Sequence, residues 1–312
     1  MSAPDVRQEN VSELLHGDYM YKGEFNDKAF EPTDPTRKKA AAGSLGICLF
    51  CFWLYFTAFT LVIPAFPYLL LEATNGRNSA ASSYFGAATC IRYVLEFFSC
   101  PFWGNLSDSV GRRKILMMSM VTMLVEYLLL AVFPTVWTVF AVSIMSGLGN
   151  AGMAMGYVMV SDIAYASREP LTNYFGYFAA ISGMGFVIGP LCGSLLIAVN
   201  LRLCFIVAAG IVCASLLVIC FFLEETCMNM RIYDPAKSSP TYSLRVFFEN
   251  RNLRRLSVTY VLHNVCTGLY FIWVLYMTQR FKADIKQIGD YLAITGISHS
   301  FCHYHFKSRS FA

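Results

Sequence analysis

Residues 104–114 read Gly104-Asn105-Leu106-Ser107-Asp108-Ser109-Val110-Gly111-Arg112-Arg113-Lys114, a polar interval between two apolar stretches. One acid, a glycine turn and three bases at this spacing make neither a nucleophile–base pair nor a metal-ligand set. Their chemistry is that of ion pairs, which hold one arrangement of helices against another. Gly104 is expected to let the chain leave one helix while tightly packed. Asp108 suits the positive N-terminal end of a neighbouring helix, and a turn at Gly111 delivers Arg112, Arg113 and Lys114 to a membrane interface.

Three more ionisable residues, Arg92, Glu96 and Glu126, lie well inside otherwise apolar stretches. A charge at the centre of a bilayer costs about 2.5–3.5 kcal/mol on insertion scales, so each needs a partner or a wet cavity. Arg92 and Glu96 are four apart, on one helical face, and are expected to pair with each other. The pair reads either as part of a substrate or proton site in a central cavity, or as a structural intrahelical bridge. Glu126 is a further candidate for that site, as are His263 and Asn264 on a later apolar stretch, where a lone histidine also serves as a packing residue. His299, Cys302, His303 and His305 are metal-binding types, but so short an interval does not easily surround one ion; it reads as an atypical terminus, and no metal is expected. Cys48 and Cys51 form C-x-x-C by spacing only. The eleven cysteines fall mostly within apolar runs and act there as small apolar residues.

The elements that must position these residues are membrane helices. Hydrophobic residues make up 56% of the chain and charged ones 14%, against about 25% charged in an average soluble domain. The charge-free runs Ala40–Leu71, Phe133–Ser161, Leu171–Leu201 and Leu203–Leu223 each reach the roughly 20 residues that cross a ~30 Å hydrocarbon core. Ser82–Trp103, Ile115–Val132 and a run from about Leu256 to Thr278 bring the expected spans to seven. An apolar fragment after Gly289 begins an eighth. The expected class is an all-α polytopic membrane protein.

The N-terminal 42 residues are polar and precede no small-x-small cleavage pattern, so no removable signal peptide is expected. Arg37, Lys38, Lys39, Arg112, Arg113, Lys114, Arg168, Arg245, Arg251, Arg254 and Arg255 fall on the N-terminal side of the bundle, against Arg77 and Arg202 on the other before the seventh span. That bias puts the N-terminus in the cytoplasm; Arg280, Lys282 and Lys286 run against it, accompanied by Asp284 and Asp290. The sequons at Asn10 and Asn105 are then cytoplasmic and expected to stay unmodified. Ser12-Glu13-Leu14-Leu15 lacks the acid of a dileucine sorting signal and reads as solvated tail. Residues 224–255, with Pro235 and Pro240, read as a cytoplasmic connection between two bundles. A net charge of +4, gathered at that face, gives no indication of nucleic-acid binding. No Walker loop, dinucleotide fingerprint or nucleophile–base–acid set appears, so neither an enzyme nor a cofactor is expected.

The 104–114 interval resembles the loop between the second and third helices of the major facilitator superfamily. Gly183-Met-Gly185-Phe-Val-Ile-Gly189-Pro190-Leu-Cys-Gly193 resembles the Gly-rich motif that the family's drug:proton antiporters carry in the fifth helix. There, glycines at spacing four make a groove for another helix, and the proline permits a bend. Glu224-Glu225-Thr226 is similar to the Pro-Glu-Thr ending of the family's sixth helix. With Val160-Ser161-Asp162-Ile163 after the fourth helix, the chain is most similar to the tetracycline-resistance-like branch. Two positions depart from it: Ser109 stands in place of a basic residue, and Ser143 in place of the antiporter arginine of the fourth helix.

The resemblance implies a major facilitator fold and a charge network of Asp108, Arg112 and Asp162. It also implies a carrier of a small-molecule solute by alternating access, with protons as a possible coupling ion. Residues 1–42 would be a cytoplasmic tail and 43–223 the first six-helix bundle. Residues 224–255 would be the linker, 256–298 the start of the second bundle, and 299–312 the atypical tail. On this reading the chain stops early and is expected to insert without transporting alone. The alternative is a non-transporting isoform that binds or regulates a full-length partner.

Overall fold

A run of apolar side chains in lipid leaves its backbone no hydrogen-bond partners but its own, and helix is what satisfies them. The computed structural model of the chain describes residues 35–167 and 170–227, and beyond them 233, 239, 245, 248, 251, 253–262, 276–277, 280–282, 284 and 286–295. Up to residue 227 it is helix upon helix: α1 (Pro35–Val62), α2 (Ala65–Ala73), α3 (Asn78–Val110), α4 (Arg112–Val132), α5 (Val136–Gly149), α6 (Gly152–Ser167), α7 (Leu171–Val199) and α8 (Leu201–Phe222).

The breaks have local causes. Pro64 cannot donate to the α1 ladder, and the first span resumes as α2. Asn75 and Gly76, at φ +52° and +75°, turn the chain back. Thr135 accepts from the backbone N–H of Thr138 at 3.2 Å and starts α5. Asn200 accepts from that of Arg202 at 2.8 Å and starts α8.

Among the described residues, five spans are long and apolar enough to cross a membrane: Ser44–Ala73, Arg112–Val132, Val136–Ser167, Leu171–Val199 and Leu201–Phe222. The sixth helix of the unit, α3, falls short of that apolar standard because Arg92, Glu96 and many serines lie along it. Its 33 residues nevertheless extend about 50 Å. Gly76, Pro134 and Asn200 line one cavity at one end of the unit, whereas Gly111 meets Glu225 at the other. The helix between Gly76 and Gly111 therefore runs the length of the bundle.

At the centre is α1, which packs against α6, α7 and α8, while α3 lies on α5 and α4 on α8. Phe178 of α7 sits edge-on to Phe52 and Phe56, ring centres 5.3 and 5.6 Å away. The outside is apolar as well: Trp137, Val199, Phe221 and Phe222 are among many large hydrophobic side chains left exposed. Over so much of the surface this is a face for lipid, not water.

Three sequence expectations change. The polar interval after Gly104 is not a gap: α3 continues to Val110, and only Gly111 separates it from α4. Gly104 lies inside the helix on an open side, where a Cβ would meet nothing within 4 Å, while Trp103, Leu106 and Ser107 beside it face the bundle. The stretch Phe133–Ser161 is two helices broken at Asn150–Ala151, and it runs on to Ser167. At the break Asn150 Oδ1 accepts from Ser119 Oγ at 2.9 Å and from Gly152 N at 3.1 Å, and Ser119 Oγ accepts from Ala151 N at 3.0 Å. Side chains thus replace the ladder bonds that the break removes. The seventh span lies largely outside the described residues; 253–262 is helical where described, as is 286–295.

Candidate functional site

Gly111 carries a φ of +109°, and a Cβ there would lie 2.9 Å from Cδ of Glu225. Both facts demand glycine. The turn starts α4 with its first amides pointing at the Glu225 carboxylate, which accepts from the N–H of Arg112 at 2.8 Å and of Arg113 at 3.2 Å. A residue more than a hundred positions away thus caps the helix and sets a negative charge at the positive end of its dipole.

The Arg112 guanidinium is held from both sides. It contacts Asp108 on α3 and donates to Ser107 Oγ, and its Nε donates to Asp162 Oδ2 on α6 at 3.3 Å. Arg113 donates to the Ile219 carbonyl at 3.2 Å and to that of Cys220, two acceptors left open in the last turn of α8. Cys227 donates its N–H to Glu225 at 3.1 Å, and burial pushes its thiol pKa up. Three helix ends and one helix face therefore meet at a single arginine pair. Asp108, Arg112 and Asp162 come together; Leu106 packs against the apolar core as a partly buried residue. Glu225 joins this cluster from the Glu224-Glu225-Thr226 ending after α8. Its partner amides are distant in sequence, so spacing gave no sign of the cap.

The glycines of α7 face α1. A Cβ at Gly185 would stand 2.7 Å from Cβ of Phe56, one at Gly189 2.8 Å from N of Leu61, and one at Gly193 3.1 Å from C of Leu61. Thr60 Oγ1 crosses this seam to donate to the Gly185 carbonyl at 2.7 Å. On another side of the same motif lies the helical segment 286–295: a Cβ on Gly289 would be 3.1 Å from the Pro190 carbonyl oxygen. Ile288 and Leu292 are buried there beside Tyr68.

The third group differs from its expectation. Arg92 pairs with Glu126 of α4, Nη1 to Oε1 3.5 Å, and no ion pair to Glu96 forms among the described residues. The backbones explain the choice. Gly147 of α5 packs directly on Arg92, a Cβ there falling 2.6 Å from its carbonyl oxygen, and Ser99 donates to the Gly147 carbonyl at 2.7 Å. So close a crossing settles α3 into the bundle with Arg92 beside α4. Glu126 is 3% exposed and lines a cavity inside the first bundle with Phe59, Tyr93 and Ser143. His263, Asn264 and the histidines of the tail lie outside the described residues.

Residues 48–302 match the Major Facilitator Superfamily. The tetracycline resistance proteins of class C from Escherichia coli and class H from Pasteurella multocida are 29% and 30% identical, over 77% of this chain and 60% of each relative. The multidrug resistance protein MdtG of Escherichia coli is 26% identical over 68% of the chain and 51% of its own length. The chain thus spans about 60% of the length of the first two relatives. In fold, the crystal structure of the human organic anion transporter MFSD10 (TETRAN) superposes with a TM-score of 0.66 at 20% identity, covering 87% of this chain and 72% of that one. With its first eight helices arranged as described in six spans, α3 among them, and a match over most of its length, this chain, an integral multi-pass membrane protein, belongs to the Major Facilitator Superfamily.

Proposed function

We propose that the chain carries the first bundle (43–223) and the start of the second (256–298) of a secondary carrier, which moves a small molecule across a membrane by alternating access. Residues 1–42 and the linker 224–255 lie on the cytoplasmic side, as the clustering of arginine and lysine there supports. The observation that carries the reading is the Arg112 cluster. It joins α3, α4, α6 and the segment after α8 at one end of the bundle through partners that are charged, partly dry and therefore strong in one arrangement and lost in another. No covalent step is assigned to it.

Protons are the coupling ion in this reading, supported by the resemblance to drug:proton antiporters. Ser143 occupies the place of those proteins' fourth-helix arginine, so the coupling group lies elsewhere. The names of the relatives speak of resistance to tetracycline and to many drugs, which supports an organic solute. The test is uptake of a panel of labelled organic solutes into proteoliposomes holding the carrier that contains this chain. Saturable uptake of at least one solute, lost in Arg112→Ala, is expected. A panel that enters only as fast as into empty liposomes contradicts the reading.

A further inference from the structure

Inside the first bundle a cavity of about 70 Å³, room for several waters, is bounded by α1, α2, α3, α4 and α5. Its walls are apolar and aromatic, with Phe59, Phe85 and Tyr93 among them, and its polar floor is Arg92, Glu126 and Ser143. Arg92 is the unusual member. Its side chain is 18% exposed and Glu126 meets it at a single 3.5 Å contact, longer than the roughly 2.7–2.9 Å of a good charge-assisted bond. A guanidinium has five N–H donors, and no other hydrogen bond to it forms among the described residues. A cation with spare donors, at the base of an apolar cavity, fits an oxyanion, whether planar carboxylate or tetrahedral sulfonate, on a small organic body.

We infer that this cavity is an organic-anion site in which a carboxylate or sulfonate binds Arg92 and a proton goes to Glu126. The two acids compete for one guanidinium. While Glu126 is ionised it holds Arg92; when its carboxylate takes a proton from water it releases Arg92 to the ligand, and the cavity then holds the same net charge as before. Anion and proton therefore bind together, so a carrier using this site moves them in the same direction, opposite in sense to the drug:proton antiporters that the chain resembles. Among the described residues, the other titratable groups that face the pair are Glu96 and Tyr93 of α3, Tyr55 of α1 and Tyr127 of α4, while α5 presents the serines 143 and 146. Of these Glu96 alone is a carboxylic acid, and it lies outside ion-pair distance of Arg92. The use of the site in transport rests on the carrier reading; its binding chemistry does not.

The test uses the chain in lipid nanodiscs with methanesulfonate and benzenesulfonate, strong acids that stay ionised so that any pH dependence belongs to the protein. Saturable binding is expected, tighter by about tenfold per pH unit as the solution is acidified through the titration of Glu126. Glu126→Gln should bind at neutral pH as tightly as the wild type does in acid, with no pH dependence left. Arg92→Gln should not bind, and because that change leaves a buried acid unpaired, the double variant R92Q/E126Q serves as its folded, neutral counterpart and should also fail. No saturable binding to the wild type, pH-independent binding, or undiminished binding by the double variant overturns the inference. A carrier that moves an uncharged solute while the chain binds neither sulfonate defeats the anion site and leaves the carrier reading standing. Sulfonate binding in a carrier that moves nothing does the opposite.

Discussion

Replacing Gly189 with alanine puts a methyl group into the seam between α1 and α7. The Cβ would lie 2.8 Å from both Leu61 N and Thr60 Cβ, where carbon contacts ordinarily sit at about 3.5–4.0 Å. The two helices must separate by roughly 0.7 Å or more, and overpacking of this kind costs about 1–3 kcal/mol. The gain of alanine over glycine inside a helix, about 0.5–1 kcal/mol, opposes it. A net loss of roughly 1–2 kcal/mol remains, which at about 2–4 °C per kcal/mol for a unit of this size lowers Tm by about 2–8 °C. Cys48, Cys51 and Cys204 are fully buried, and the Cys204 thiol donates to the Leu61 carbonyl at 3.5 Å on this same seam. After the exposed cysteines are blocked, a thiol-reactive dye therefore reports the opening of the bundle. Gly210→Ala is the control, since a Cβ there meets nothing within 4 Å, and it should melt at or above the wild type. If Gly189→Ala melts no lower than the wild type, the close approach of α1 to α7 is wrong.

The remaining predictions concern charge. Asp108→Asn and Arg112→Ala in the carrier should each cut transport by about tenfold or more while membrane insertion, followed by fractionation, stays normal; normal transport by both refutes the role given to the cluster. Lys114→Cys, exposed at the start of α4, in a version lacking the other reactive cysteines, should react with an impermeant thiol reagent only after the membrane is opened. Labelling of sealed cells reverses the topology. Glu126→Ala should lose about 3 kcal/mol or somewhat less, the partial exposure of Arg92 softening the loss of its partner, and the exchange Arg92→Glu with Glu126→Arg should recover part of it in the thermal assay. Exchanging Arg92 with Glu96 should recover nothing, and equal recovery by the two exchanges would show that no specific pair exists.

The helices were legible in the sequence because uninterrupted apolar runs admit one backbone solution in lipid, and the loop cluster because acids and bases at the ends of such runs have few places to go. What the sequence did not reveal was tertiary. Glu225 caps α4 across more than a hundred residues, and no local spacing announces such a bond. Arg92 had a partner four residues on by helix periodicity, yet the close crossing at Gly147 gave it Glu126 on the neighbouring helix instead. The break at Asn150 was hidden because the apolar run continues through it, and the side chains of Ser119 and Asn150 replace the lost backbone bonds. Gly104 belongs to a loop motif by type but sits in a helix by structure, on a side of α3 that no neighbour covers.

The central claim is that this chain belongs to a carrier coupled to protons. It is tested most directly by recording solute and proton flux together in proteoliposomes that hold the carrier containing this chain and have an imposed pH gradient. Solute entry that saturates, follows the gradient and is matched by proton movement, with both lost in Arg112→Ala, is the predicted result. Solute entry indifferent to the gradient and unaccompanied by protons would contradict the claim.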